Sequence, residues 1–220
     1  MIGLFSNDNF DTVGRSLMKR LIKPQSKVIC FSASDIKWQK EHIEELMYDG
    51  KYFNERYRPF REYGVEKEDF YIVNPHDSEG FVKWKFKQAD IVYFSGGDML
   101  NLEILLKKYS LWYSMPFYKN EKSFIGVSAG ALISLEIYDV TPHVDENYTT
   151  YYKQKGLGLV NDIRLLVHFN KRREEHMDNL EYVFKEMIND MCDTGNDYTL
   201  IALSDDQGVI VDDNGDWYVN

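Results

Sequence analysis

Only two cysteines occur in 220 residues, Cys30 and Cys192, too few and too far apart for a disulfide framework or for a metal or redox pair. Two free thiols in a reducing compartment are the expectation. No stretch of about 20 apolar residues is present to cross a bilayer. Met1-Ile2-Gly3-Leu4-Phe5-Ser6 has no basic leader and too short an apolar run for export, so a cytoplasmic protein is expected. A basic excess is missing as well. Lys and Arg number 26 against 36 Asp and Glu, a formal charge of -10, which argues against a nucleic-acid or membrane-surface binder because both need a positive footprint. His42, His76, His143 and His176 are scattered without zinc-ligand spacing, so no metal and no other cofactor is expected. The glycines form no G-x-x-x-x-G-K or G-x-G-x-x-G phosphate loop, and neither an internal repeat nor a linker interrupts the chain.

What is present is the make-up of one well-buried core. Charged residues are 28% and aromatic residues 15%, a globular balance without disordered tracts, and a single α/β domain over 1–220 is the simplest arrangement. Short apolar runs at 2–5, 28–31, 69–73, 89–94 and 124–127 read as buried strands. Helical spacing predicts helices over 13–22, about 39–48 and 100–106, while the Tyr- and Arg-rich stretch after Tyr48 takes no assignment. This alternation predicts a three-layer sandwich around a mostly parallel sheet, with any site at the carboxyl ends of its strands. Further on, 139–159 reads as an extended loop with short antiparallel strands. A strand follows at 165–169, then a helix over about 172–188. Strands at 198–203 and 208–211 flank Ser204-Asp205-Asp206-Gln207, and 213–216 turns into a terminal strand at 217–219 that closes a hairpin.

Chemistry gathers at three of these boundaries. Gly126-Val127-Ser128-Ala129-Gly130 has the form of a sharp strand-to-helix turn that lifts a serine hydroxyl clear of a sheet. Small neighbours leave room for the corner, and the N–H of Ala129 is placed to meet a developing oxyanion. Taken alone the pattern is equally a plain turn. His168 ends an apolar strand, where it is either a base or a satisfied histidine. Asp205 and Asp206 occupy a strand end that is equally a polar corner facing solvent. A serine needs a base to lose its proton, imidazole with a pKa near about 6.5 suits that work, and a carboxylate fixes its tautomer. Ser95-Gly96-Gly97-Asp98 adds a second corner, at which the Gly97 N–H is a candidate oxyanion donor. Its rival is again a simple turn.

Taken together, the Gly-Gly-Asp corner at 96–98, Gly126-Val127-Ser128-Ala129-Gly130-Ala131, Val167-His168-Phe169 with Arg172 and Arg173, and Ala202-Leu203-Ser204-Asp205-Asp206-Gln207-Gly208 resemble peptidase family S51, which contains α-aspartyl dipeptidase (peptidase E) and cyanophycinase. The resemblance spans nearly the whole chain. It implies a class I glutamine amidotransferase-like (flavodoxin-like) fold and a serine peptidase with Ser128 as nucleophile, His168 as base and an acid on the late strand. The family commonly has Glu there, and Asp205 is the match. Asp206, Asp139 and Asp145 are alternative acids. Glutaminase relatives carry Cys and a His with Glu two places later; here the residues are Ser128 and Asn170, against that activity. The expected substrate is a short peptide or other small amide, in particular a dipeptide with an acidic residue. Arg172 and Arg173 are candidates to pair with that carboxylate, or else a solvated first turn. Other readings are an amidase or esterase on another small substrate, a catalytically silent binding protein of the same fold, and an interaction protein whose Tyr and Trp residues form an oligomer interface. The expected state is monomer or homodimer. Tyr148, Tyr151 and Tyr152 form a lid or pack on the sheet edge.

Overall fold

Runs that are apolar at every position bury completely only in strands covered on both faces. The computed structural model describes residues 1–12, 15–34, 36–140, 152–171, 177–195 and 197–219. In it these runs form β1 (Ile2–Phe5), β2 (Val28–Ala33), β3 (Phe70–Ile72), β4 (Ile91–Gly97) and β5 (Ser123–Val127), mutually parallel in the spatial order β1-β5-β4-β2-β3. The helices are α1 (Arg15–Leu21), α2 (Ile36–Glu41), α3 (Ile43–Leu46), α4 (Lys51–Arg61), α5 (Glu79–Gln88), α6 (Met99–Lys108), α7 (Ala129–Ile133) and α8 (Met177–Thr194). An antiparallel pair, β6 (Ile137–Val140) and β7 (Tyr152–Lys155), stands apart from the main sheet. So does a parallel pair, β8 (Ile163–Leu166) and β9 (Thr199–Ala202). The chain then returns as β10 (Gly208–Val211), antiparallel to β1, and closes a hairpin with β11 (Trp217–Val219), giving a seven-stranded sheet.

Alternate side chains of each strand go to opposite faces, and each face has its own core. Ile29, Phe31, Val92, Phe94 and Phe124 pack with Val82 and Phe86 of α5, Leu102 and Leu105 of α6, and α7. Val28, Cys30, Ile91, Tyr93 and Ile125 pack with Met18 and Leu21 of α1 and Phe53, Tyr57 and Phe60 of α4. The result is an α/β sandwich with a mostly parallel central sheet. Cys30 and Cys192 are free, and burial pushes the Cys30 thiol far above its usual range, which makes it inert.

Several elements differ from the sequence reading. The helix expected over 39–48 begins at Ile36 and breaks at His42, whose backbone is non-helical (φ -122°, ψ 45°), so that α2 and α3 are separate. The unassigned Tyr- and Arg-rich stretch is α4, burying Phe53, Tyr57 and Phe60 at intervals of four and three. α5 has no counterpart among the helices expected from the sequence. It starts at Ser78, whose side chain accepts the Phe81 N–H. The strand that carries His168 ends earlier than expected, at Leu166, and it pairs with β9 outside the main sheet. The strands flanking Ser204–Gln207 therefore belong to different sheets, while the expected terminal hairpin forms between β10 and β11. Of the helix expected over 172–188, residues 172–176 lie outside those described, and α8 continues to Thr194.

Candidate active site

β5 runs between β1 and β4, so its carboxyl end emerges at the middle of the seven-stranded sheet. There the chain reverses into α7 through Ser128, with φ 50° and ψ -112°. A serine in the positive-φ region costs roughly 1–3 kcal/mol and persists only where its surroundings hold it. The holding contacts are visible: the Ser128 N–H donates to Phe5 O at 2.8 Å, and the Ser128 carbonyl accepts from Ala131 and Leu132, both at 3.0 Å. The flanking glycines allow the close approach. A Cβ on Gly130 would lie 2.1 Å from Phe94 O, and one on Gly126 would lie 2.4 Å from Gly130 O.

β8 and β9 deliver the next two groups. Past their last paired residues the chains stay joined, with the Phe169 N–H donating to Leu203 O at 2.9 Å, so His168 and Asp205 leave adjacent strand ends. Ser128 Oγ lies 2.8 Å from His168 Nε2, and His168 Nδ1 lies 2.5 Å from Asp205 Oδ1. A carboxylate selects the ring tautomer with its proton on Nδ1. In that tautomer Nε2 is an acceptor and the Ser128 hydroxyl donates to it. Both side chains are largely shielded, at 18% and 17% exposure for His168 and Asp205.

Asp205 is held on every side. Lys171 Nζ lies 3.0 Å from its Oδ2, its N–H donates to Asn170 Oδ1 at 3.2 Å, and its carbonyl accepts from Asn9 Nδ2 at 2.8 Å. Burial works to raise its carboxyl, but hydrogen bonds and charge from His168 and Lys171 prevail and hold it below the ordinary 3.8. It is therefore ionised wherever a histidine can act as a base.

The Gly-Gly corner at the end of β4 lies beside the serine: a Cβ on Gly96 would sit 3.4 Å from Ser128 Cβ. Gly97 has φ 140°, and a Cβ there would lie 2.4 Å from Ala33 O, so only glycine fits. Asp98 caps α6 by accepting the Leu100 N–H at 2.7 Å. Ala129 opens α7, where a helix leaves its N–H groups without intrahelical partners.

The other candidate residues lie elsewhere. Asp206 is exposed. Asp139, on β6, is buried at 2% exposure and paired through both oxygens with the guanidinium of Arg164 on β8, itself fully buried. Asp145, Arg172, Arg173, Tyr148 and Tyr151 lie outside the described residues, and Tyr152 opens β7. Among the described residues no group of His, Cys, Asp or Glu could hold a metal ion. Ser6, Asn9, Asn170 and Lys171 escape a reading of the sequence by motif. One signal for them exists: Ser6-Asn7-Asp8-Asn9 is a polar run at the carboxyl end of a parallel strand, where sites of such sheets collect.

These features define an α/β protein whose central sheet presents a strained serine, hydrogen-bonded to an imidazole, at its carboxyl edge. The chain belongs to peptidase family S51, whose model matches residues 11–216. Membership in a peptidase family supports hydrolase activity. Among solved structures it is similar to a "Putative Peptidase E Protein" from Listeria monocytogenes EGD-e, at 18% identity and a TM-score of 0.64, covering all of this chain and 96% of the other. It is also similar to a peptidase from an acI-B1 Actinobacterium, at 21% identity and a TM-score of 0.67, covering all of this chain and 86% of the other. At these identities the likeness is one of fold. No curated protein matches the sequence significantly. Among the described residues no helix is long and apolar enough to cross a membrane.

Proposed function

We propose that this protein is a serine-type peptidase that hydrolyses short peptides through an acyl-enzyme. One observation carries the reading: the continuous hydrogen-bonded chain from Ser128 Oγ through His168 to Asp205. Ser128 Oγ attacks the scissile carbonyl carbon while His168 Nε2 takes its proton. Asp205 stays ionised and stabilises the imidazolium. The tetrahedral oxyanion rests against the N–H groups of Gly97 and Ala129, donors that act from fixed backbone and need no reorganisation. His168 then gives the proton to the leaving amine as the C–N bond breaks. Water, deprotonated by the same imidazole, attacks the ester and releases Ser128.

The substrate we propose is a dipeptide or similarly short peptide bearing an acidic residue. Family membership supports small peptide substrates, and the cationic run Lys171-Arg172-Arg173 directly follows the histidine segment. Lys171 already engages Asp205, which leaves Arg172 and Arg173 as the candidates for a substrate carboxylate. Hydrolysis of Asp-, Glu- and neutral-headed dipeptides by the purified chain and by Ser128→Ala tests this. Turnover of acidic substrates that disappears in the variant is expected. Absence of turnover across the panel, or residual turnover unchanged by Ser128→Ala, rejects the reading.

A further inference from the structure

His168 leaves β8 with a φ of 58°, a conformation that a residue with a side chain keeps only when something holds it. Its N–H donates to Ser6 Oγ at 2.8 Å. The same hydroxyl lies 3.4 Å from Asp205 Oδ1, the oxygen that accepts the imidazole Nδ1–H. With its oxygen taken up by the His168 N–H, the Ser6 hydroxyl has its proton free to give to the carboxylate. Ser6 is fully buried at the end of β1, and its own N–H donates to Gln207 O at 3.2 Å, on the segment that carries Asp205. The neighbouring Phe5 carbonyl accepts the N–H of Ser128. Thus Phe5 and Ser6, at and just past the end of β1, touch the backbone of the serine, the backbone of the histidine and the side chain of the acid.

We propose that Ser6 is a positioning residue that locks the backbone of His168 and the carboxylate of Asp205 to one another, so that the imidazole meets the acid with Nδ1 and Ser128 with Nε2. Its effect on catalysis rests on the serine-peptidase reading. Its effect on the His168–Asp205 hydrogen bond does not. Ser6 touches no reacting atom, and a serine hydroxyl does not titrate in the working range, so its loss changes the fraction of correctly placed imidazole rather than the protonation of any group. Misplacement by about 1 Å is enough to cost on the order of 10²-fold in rate.

The test compares wild type, Ser6→Ala and Ser6→Thr as full chains, by three readouts. These are the downfield proton resonance of His168 Nδ1–H, the rate at which a fluorophosphonate labels Ser128, and thermal unfolding. For Ser6→Ala we expect loss or broadening of the resonance, labelling slowed about 10- to 100-fold and reagent half-saturation unchanged. Ser6→Thr, which keeps the hydroxyl, is expected to retain the resonance and recover most of the rate. If Ser6→Ala does not fold, Ser6→Cys replaces it, with a sulfur that accepts weakly. The proposal is overturned if the alanine or cysteine variant keeps both resonance and rate. It is overturned equally if Ser6→Thr is as slow as Ser6→Ala while the resonance is intact in both, which would make Ser6 a packing residue. If the wild type does not label, the peptidase reading fails, and the resonance alone still decides the role of Ser6.

Discussion

Asp205 and Asp139 are both shielded aspartates, and both are bonded to a nitrogen base carried by one short segment of chain, His168 and Arg164. Their surroundings differ in one chemical respect. Arg164 keeps its proton at every accessible pH, and its guanidinium is shared between Asp139 and Asp190 of α8, with Nη1 3.1 Å from Asp190 Oδ2. Asp190 is in turn bonded by Lys153 of β7. That network ties the β6–β7 pair to β8 and α8, and it contains no imidazole to take up and return a proton near neutral pH. Asp205 faces an imidazole whose other nitrogen contacts a serine on a strained corner. The lesson is that the task of a buried acid is set by what its partner can exchange, more than by the acid itself.

The largest expected effect removes the nucleophile: Ser128→Ala should lower hydrolysis by about 10⁴-fold or more with the unfolding temperature near wild type. A smaller loss would mean that the exchange-competent side of the comparison is not where the chemistry happens. Next comes the direct contrast. Asp205→Asn should lower kcat by about 10³- to 10⁴-fold because the imidazole tautomer is no longer imposed, while KM changes little. Asp139→Asn should instead leave kcat per folded molecule within a few fold and cost up to about 3–5 kcal/mol of stability, since buried Arg164 then keeps Asp190 alone, of its two aspartates, as a counter-charge. Steady-state kinetics and denaturant unfolding of both variants would break the comparison if the two outcomes were exchanged.

A glycine variant probes the intermediate range. Gly97→Ala places a Cβ 2.4 Å from Ala33 O at a φ of 140°, so the corner must shift. A loss of about 10²-fold in kcat is expected if its N–H serves the oxyanion, and an unchanged kcat would remove Gly97 from that role.

How much of this was open to a reader of the sequence depends on how each residue earns its place. β1, β2, β4 and β5 are legible because each carries four consecutive apolar or glycine residues, and the turn around Ser128 is legible because small residues crowd one serine. α5 is hidden by its spacing. Val82, Trp84 and Phe86 alternate with lysines in a strand-like period, yet only Val82 and Phe86 are buried, one helical turn apart. α4 is masked by the tyrosines and arginines that surround its three buried rings. Ser128, His168 and Asp205 were each readable at a strand end. What separates Asp205 from Asp206 and Asp139 was not, because it depends on the separate sheet of β8 and β9 and on the place of Arg164, which are matters of tertiary pairing. Ser6 is a single hydroxyl 162 residues from the N–H that it accepts, and no local pattern reports such a contact.

The smallest predicted effect is on acid stability. Burial pushes Asp190 upward, as it does Asp205, but bonds from Lys153 and Arg164 to the first and from His168 and Lys171 to the second leave both below the ordinary 3.8. For a lowered carboxyl the stabilisation is complete above the unfolded value and fades as pH falls through the folded one. The stability gap between wild type and Asp205→Asn should therefore narrow as pH drops below about 4, measured by denaturant unfolding from pH 6 to pH 2. A gap that widened instead would contradict the assigned direction.

The most direct measurement is fluorophosphonate labelling with the adduct mapped by mass spectrometry on wild type, Ser128→Ala, Asp205→Asn and Asp139→Asn. The account predicts one adduct, on Ser128, absent in Ser128→Ala, greatly slowed in Asp205→Asn and formed at close to the wild-type rate in Asp139→Asn. An adduct on another residue, none in the wild type, or equal rates for the two aspartate variants would contradict it.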